Sequence, residues 1–358
     1  MLTPLGWGTL AGSVLLYGLG AALGHPEPIV LATGGLLALL FALVWTAPGA
    51  KLEVHREVTP LKVPRGEAAV AVLQIRNLGR FGLTGLRARD RFGDTEHTVD
   101  LPRLPRNTLK AVSYPLPTDR RGEIVVGPLR LVRADPLGLT RRVREYGEAI
   151  TLLVRPRTIA LPVAPSGRAH HLEGPTSDNA PAGTVTFHTL REYVVGDDLR
   201  HVHWRSSART GTLMVRQLID ASLPTTTVVL DTRELSEEAV DAAASVALAA
   251  ARSGFPVRLL TAAGPLAETK NDADLVLDRL AVVAATPGAD LRVRQARGGG
   301  SLVLVTGDAA EAGRLAGLRR SFDRVICVYT GPEQVSAPGV TVMPLRTLDD
   351  LPAQWGRR

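Results

Sequence analysis

Two stretches of 19 residues, 5–23 and 29–47, contain no Asp, Glu, Lys or Arg. Each is close to the ~20 apolar residues a helix needs to cross a bilayer core, and neither has the polar face that a helix on a soluble protein turns to water. A chain so built is expected to carry its remaining residues on a two-helix membrane hairpin. Between the spans lies only Gly24-His25-Pro26-Glu27-Pro28. Its prolines are expected to stop a helix, and its shortness makes the helices antiparallel, with both outer ends on one side. Gly8 with Gly12, Gly20 with Gly24, and Gly34 with Gly35 offer small surfaces on which helix backbones can approach closely. Residues 1–4 lack the basic start of a secretory signal peptide, so the segment is expected to escape cleavage. Lys51, Arg56, Lys62 and Arg65 follow the second span, while the connecting loop has no basic residue. The positive-inside rule therefore predicts a two-pass protein of the cell membrane whose soluble part faces the cytoplasm.

Charge sorts the remainder. Residues 51–170 hold 22 Lys and Arg against 12 Asp and Glu, residues 171–358 hold 20 against 22, and residues 1–50 hold only Glu27. The basic surplus thus belongs to the middle of the chain, where each Lys or Arg near an anionic leaflet gains about 1 kcal/mol of attraction. Membrane lipid is an expected partner. Nucleic acid is not, because aromatic residues make up 4% of the chain and no Lys/Arg cluster is interleaved with them. The single cysteine, Cys327, lies in an apolar run and reads as a small buried hydrophobe; no intramolecular disulfide can form.

Pattern divides the rest into an anchor at 1–50, a β-sandwich at 51–162, a linker and motif segment at 163–222, and an α/β domain at 223–358. In the second of these, short runs at 69–75, 122–126 and 128–132 alternate apolar with polar residues between Gly, Pro and Asn, as antiparallel sandwich strands do. Pro102, Pro105, Pro115 and Pro117 rule out a long helix there. Asp135-Pro136-Leu137-Gly138 is a turn with proline at its favourable second position. In the fourth region, expected strands at 225–230, 256–260, 301–305 and 324–329 are separated by expected helices at 236–252, 272–285 and 308–319. That alternation predicts a Rossmann-like parallel sheet with crossover helices on both faces. Ligands of such sheets bind at the carboxyl ends of the strands, here Asp231 and Thr306-Gly307-Asp308.

The α/β order resembles a von Willebrand factor A-like domain. Those domains can hold a divalent cation with an Asp-x-Ser-x-Ser loop after the first strand, whose carboxylate and hydroxyls are hard oxygen ligands. Here Arg233 and Leu235 stand at the two hydroxyl positions after Asp231, so the loop is degenerate and no metal is expected. The densest polar motif precedes this domain: Leu190-Arg191-Glu192-Tyr193, Gly196-Asp197-Asp198, Arg200, His201, His203, Trp204, Arg205, and Ser207-Ala208-Arg209. Together with Arg121-Gly122, Asp135-Pro136-Leu137-Gly138-Leu139 and the helical hairpin, it closely resembles the domain-of-unknown-function family numbered 58. The resemblance implies a membrane-anchored protein with a von Willebrand factor A-like C-terminal domain, working beside MoxR-type AAA+ ATPases and membrane transglutaminase-like proteins.

Read from the residues alone, Arg191, Glu192, Asp197, Asp198, Arg200, Arg205 and Arg209 place both signs of charge within 19 residues. Three uses are open: an ion-pair network locking the connector to the sheet, with Tyr193 and Trp204 supplying buried area; a partner-docking edge; or catalysis by Asp197, Asp198, His201 and His203. The arginines beside the histidines make a poor cation site. Gly-x-Ser-x-Gly, His-Glu-x-x-His and a Gly-Lys phosphate loop are all missing from the sequence. The expected function, as the family resemblance implies it, is a membrane-anchored protein-binding scaffold needing no cofactor and acting with a MoxR-type AAA+ ATPase in the assembly or remodelling of other proteins, with a hydrolase built on the central motif as the alternative.

Overall fold

The computed structural model of this chain describes residues 1–47, 51–80, 82–162, 185–194, 202–220, 224–270, 272–291 and 300–355. They form two compact units, Met1–Arg155 and Pro156–Arg358.

The first unit begins with α1 (Pro4–Leu23) and α2 (Pro26–Trp45), both long and apolar enough to cross a membrane. The Thr3 hydroxyl caps α1 by accepting from Gly6 N, and Gly24 ends it in the left-handed conformation at φ 69°. The loop prolines act differently from expectation. Pro26 opens α2 instead of holding a helix off, because the first turn needs no proline N–H and its φ is already helical. The buried residues of the two helices are Gly6, Ser13 and Gly20 of α1 and Ala32, Leu39 and Ala42 of α2; Gly6 is covered by Leu139, with which Leu39 and Ala42 also cluster. A Cβ on Gly20 would press on Ile29, and one on Gly35 on the Ser13 hydroxyl; Gly8, Gly12 and Gly34 face open space. The close approach between the helices thus uses Gly20 and Gly35, and the expected Gly8/Gly12 pair is not part of it.

Ten strands follow: β1 (Leu52–Thr59), β2 (Lys62–Pro64), β3 (Val70–Asn77), β4 (Leu86–Phe92), β5 (Thr95–Asp100), β6 (Leu109–Pro115), β7 (Gly122–Val126), β8 (Leu129–Ala134), β9 (Arg141–Tyr146) and β10 (Ile150–Arg155). One sheet runs β1-β3-β6 and the other β2-β10-β7-β4-β8-β9, with β5 paired to β4. All pairs are antiparallel except β2 with β10. Alternation places Ala71, Leu73 and Ile75 of one sheet and Leu86, Ala88 and Phe92 of the other in a single core. The inward Asp90 is satisfied within that core by Arg56 Nη1 at 2.7 Å and the Tyr114 hydroxyl at 2.6 Å. Arg56, counted above among the basic residues flanking the span, is therefore buried and neutralised.

The Asp135 turn sits against the helix ends. Its carboxylate accepts from the N–H groups of Leu137, Leu139 and Thr140 and from the Thr140 hydroxyl. Burial pushes this carboxyl up, but those bonds more than offset it and hold its pKa below the ordinary value. The turn so fixed presents Leu139 O to Thr3 N at 3.0 Å, and the Thr140 hydroxyl to Ala42 O and to the Thr46 hydroxyl.

In the second unit β11 (Val185–Glu192) pairs antiparallel with β12 (Met214–Asp220), and α3 (Trp204–Thr210) lies between them in sequence. Then come β13 (Thr226–Leu230), α4 (Glu237–Arg252), β14 (Val257–Thr261), β15 (Gly264–Thr269), α5 (Ala273–Ala281), β16 (Ser301–Thr306), α6 (Ala309–Arg314), β17 (Arg324–Tyr329), β18 (Thr341–Pro344) and α7 (Leu351–Trp355). The sheet order is β15-β14-β13-β16-β17-β18, parallel throughout except for the edge strand β15. Alternate strand residues face two cores. Val228, Leu230, Val303 and Val305 meet α4, α5 and α7 on one side; Val229, Leu302, Leu304 and Cys327 meet α6 on the other. Burial pushes the Cys327 thiol up to about 12, in keeping with its role as a small hydrophobe. Strands β15 and β18 were not expected from the sequence, and the helix expected over 308–319 is α6 followed by a 3-10 turn from Leu315.

Candidate functional site

In the order β14-β13-β16 the chain direction of assembly reverses between β13 and β16, and a crevice opens there at the carboxyl ends of the strands. It is an open cavity of about 580 Å³ lined by Asp231, Arg233, Glu234, Asp308 and Glu333 among others. Asp231 ends β13 and is 4% exposed. Its carboxylate accepts from Arg233 Nε at 2.9 Å, Arg233 Nη2 at 2.7 Å, Arg233 N at 3.1 Å and the Thr306 hydroxyl at 2.7 Å. Arg233 reaches further, to Asp308 Oδ2 at 3.3 Å and Glu311 Oε1 at 3.2 Å. Asp308 also caps α6 through Ala310 N, and the buried Glu311 takes a second cation, Arg314, at 2.8 Å.

Burial drives the Asp231 carboxyl up, but the bonds from Arg233 and Thr306 reverse this and its pKa lies below the ordinary value. The Arg233 guanidinium is held correspondingly higher than usual, chiefly by its bond to Asp231 against the opposing effect of burial. The donor set does not fit a divalent cation. A positive fork already occupies both oxygens of the one carboxylate that would bind it, and the hydroxyl positions are Arg233 and Leu235. What the sequence suggested as a degenerate loop is a closed internal ion pair. A second contact, between the Thr232 and Thr286 hydroxyls, fastens the same loop to the segment after α5. Thr306 and Glu311 were not singled out in advance; the spacing Asp308, Glu311, Arg314 on one expected helix was the available signal.

The central motif is described in part. Gly196, Asp197, Asp198, Arg200 and His201 lie outside the described residues. His203 is the N-cap of α3: its Nδ1 accepts from Ser206 N at 3.2 Å and lies 2.8 Å from the Ser206 hydroxyl. Ser207 is the buried tie, donating to His203 O at 3.2 Å and accepting from Met214 N at 2.8 Å. Tyr193 N donates to Leu213 O, and Arg191 Nη1 to Glu192 O. Trp204 is 66% exposed, which corrects the expectation that it supplies buried area. Glu192, Arg205, Ala208 and Arg209 are exposed as well, because the short helix turns its Ser207 side to β12 and the rest outward. The motif thus combines an inward scaffold of His203 and Ser207 with an outward row of Trp204, Arg205 and Arg209.

Residues 189–296 match the model of a family described as Protein of unknown function DUF58, the family that the motif resembles. No curated protein matches the chain. Among solved structures it is similar to the CARDB domain of a Pyrococcus furiosus protein, solved with di-metal ions, at 16% identity and TM-score 0.22 over 30% of this chain and 96% of that one. It is similar to the C-terminal domain of wzt at 13% identity and TM-score 0.25, over 30% and 74%. A Pseudomonas fluorescens alkylpurine DNA glycosylase, AlkC, matches at 14% identity and TM-score 0.24, over 40% and 42%. Likenesses at this level carry no inference about activity.

Proposed function

We propose that this DUF58-matching chain is a two-pass membrane-anchored scaffold that binds other proteins through a von Willebrand factor A-like C-terminal domain. Its soluble part faces the cytoplasm, and it acts with a MoxR-type AAA+ ATPase, beside a membrane transglutaminase-like protein, in the assembly or remodelling of other proteins. The ATPase and the second partner come from the family resemblance. The protein-binding role is carried by one observation, the open carboxyl-edge cavity whose base is closed by the Arg233 to Asp231 ion pair. A loop ordered by its own guanidinium needs no metal to hold its shape, so the edge around it is a preformed surface available for docking. Its rim is polar and exposed rather than a closed, desolvated pocket of the kind that encloses a small substrate.

The test is a photo-crosslinking amino acid placed at Glu333 or Glu234 in the full-length chain, followed by native purification from membranes. An AAA+ ATPase crosslinked from these positions is the expected product. Purification without such an ATPase, or with its crosslinks distributed equally to a probe at an exposed position of the first unit such as Arg103, overturns the proposal.

A further inference from the structure

On the β8–β9 hairpin, Arg133 stands directly across from Arg142, and Arg144 directly across from Leu131. Strand alternation gathers these three arginines on one face, while Glu145 lies on the other and pairs with Arg130 at 2.9 Å. Like charges placed opposite one another weaken a sheet pair. The repulsion between Arg133 and Arg142 is relieved by no acidic side chain lining the space around them among the described residues. Among the described residues neither the Arg133 nor the Arg142 side chain takes part in a hydrogen bond or ion pair, and Arg133 Nε is buried without a partner. The nearest carboxylate in sequence, Asp135, is consumed by its own turn.

Two cavities meet at Arg142, Thr46 and Ala47. The smaller is lined by Arg133, Arg144 and Tyr146 beside the apolar Leu52 and Leu131. The larger, about 720 Å³, runs past Arg141 and Val143 to Leu2, Pro4 and Leu43 at the ends of α1 and α2. No acidic residue lines either one. Leu43 and Val143 are 51% and 42% exposed, so the apolar end of this space opens outward along the helices while its arginine end is sheltered.

We propose that this space seats one anionic phospholipid, with its phosphate between Arg133 and Arg142 and an acyl chain along Leu43. The inference rests on the membrane-anchored reading, which puts the end of α2 at headgroup depth. A phosphate between the two guanidinium groups accepts from both and removes their repulsion. The apolar wall continuous with the helices favours a lipid over free phosphate.

The test uses the full-length chain in nanodiscs of phosphatidylcholine with and without phosphatidylglycerol, retained lipid being counted by native mass spectrometry. Phosphatidylglycerol should be retained selectively. Arg133→Gln with Arg142→Gln should weaken retention about thirtyfold, the equivalent of about 2 kcal/mol. Arg103→Gln with Arg106→Gln removes equal charge from exposed positions of the same unit and should change nothing. Equal retention of both lipids, or a double Arg133/Arg142 variant that melts normally and still retains phosphatidylglycerol, overturns the proposal. So does stabilisation of the detergent-solubilised chain by inorganic phosphate alone to the same degree as by phosphatidylglycerol. A chain washed off membranes by alkaline carbonate ends the anchored reading as well, whereas one that stays bound without selective lipid ends only this one.

Discussion

A guanidinium locked onto a buried carboxylate makes Arg233 the residue on which the candidate site depends. Arg233→Ala would leave Asp231, 4% exposed, with the Thr306 hydroxyl and the backbone N–H of residue 233 as donors and no counter-charge. Stranding a buried charge in this way costs about 3 kcal/mol, a sizeable part of the stability of a typical domain. The melting temperature should fall by several degrees, and adding Asp231→Asn should restore much of the loss, because members of one network are not additive. Equal melting of both variants and the parent would show that the pair is not a structural lock. The pH dependence has a definite sign. Because the Asp231 pKa is lowered in the folded chain, the pair contributes fully above the unfolded value of about 3.9 and loses its contribution as pH falls through the lower folded value. The difference in melting temperature between parent and the double variant should therefore be constant from neutral pH down to about 3.9 and shrink progressively below it, as pH falls toward the lower folded value. At this scale the sequence was half informative: Asp231 and the loss of its two hydroxyl neighbours were legible, since they are consecutive. Thr306 and Glu311 arrive from β16 and α6, some 75 residues or more along the chain, and no local pattern announces such a meeting.

Helix against helix, the informative contrast is between glycines that touch and glycines that do not. Ser13 and Gly20 stand seven residues apart on α1 and meet Gly35 and Ile29 of α2, the spacing of a seam between two packed helices, whereas Gly8 and Gly12 have open space around them. Gly35→Leu would drive a side chain into Ser13 and should destabilise the hairpin by about 1 to 3 kcal/mol, the usual range for overpacking. Gly8→Leu and Gly12→Leu should be neutral. Thermal unfolding in detergent micelles distinguishes them, and a larger loss from the Gly8 or Gly12 variant would mean that the seam runs along the other face. The motif spacing legible in the sequence was the four-residue glycine pair; the seven-residue seam includes a serine and so was not visible as a glycine pattern. The same limit explains the strands that escaped notice. β15 contains Gly264 and Pro265 and shows no clean alternation of buried and exposed residues, and β18 has only four residues and ends in Pro344. Both are sheet-edge strands, where one neighbour suffices and the sequence is correspondingly free. The central parallel strands β13, β16 and β17 were legible because both of their faces are buried, which leaves continuous apolar runs.

For the molecule as a whole, the proposed orientation depends on where positive charge sits relative to the two helices. The sequence supplies Lys51, Arg56, Lys62 and Arg65 after the second span, but Arg56 is spent on Asp90 inside the sandwich. Folding compensates from a distance. The Asp135 turn and the backbone bond from Arg141 N to Met1 O carry β9 to the outer ends of both helices, so that Arg141 and Arg142 stand beside Thr46 and Ala47. At the other end of the hairpin the only charged side chain in residues 24–28 is Glu27, in the first turn of α2. Lys51 in sequence and Arg141 and Arg142 in the fold thus lie at the outer end of the hairpin, the end that the proposed topology leaves in the cytoplasm. On the proposed topology the residues nearest the second span set the orientation, and the arginines of β9 add attraction to the anionic leaflet. A fluorescent reporter fused after Arg358 should therefore light up in the cytoplasm, and a cysteine replacing His25 should react with a reagent that cannot cross the membrane. Lys51→Glu with Lys62→Glu should weaken this bias and yield a mixed population, whereas Arg141→Gln with Arg142→Gln should leave orientation unchanged while loosening attachment to anionic membranes. A dark C-terminal fusion paired with an unreactive cysteine at 25 would invert the topology, and with it the compartment in which any partner of the carboxyl-edge surface must be sought.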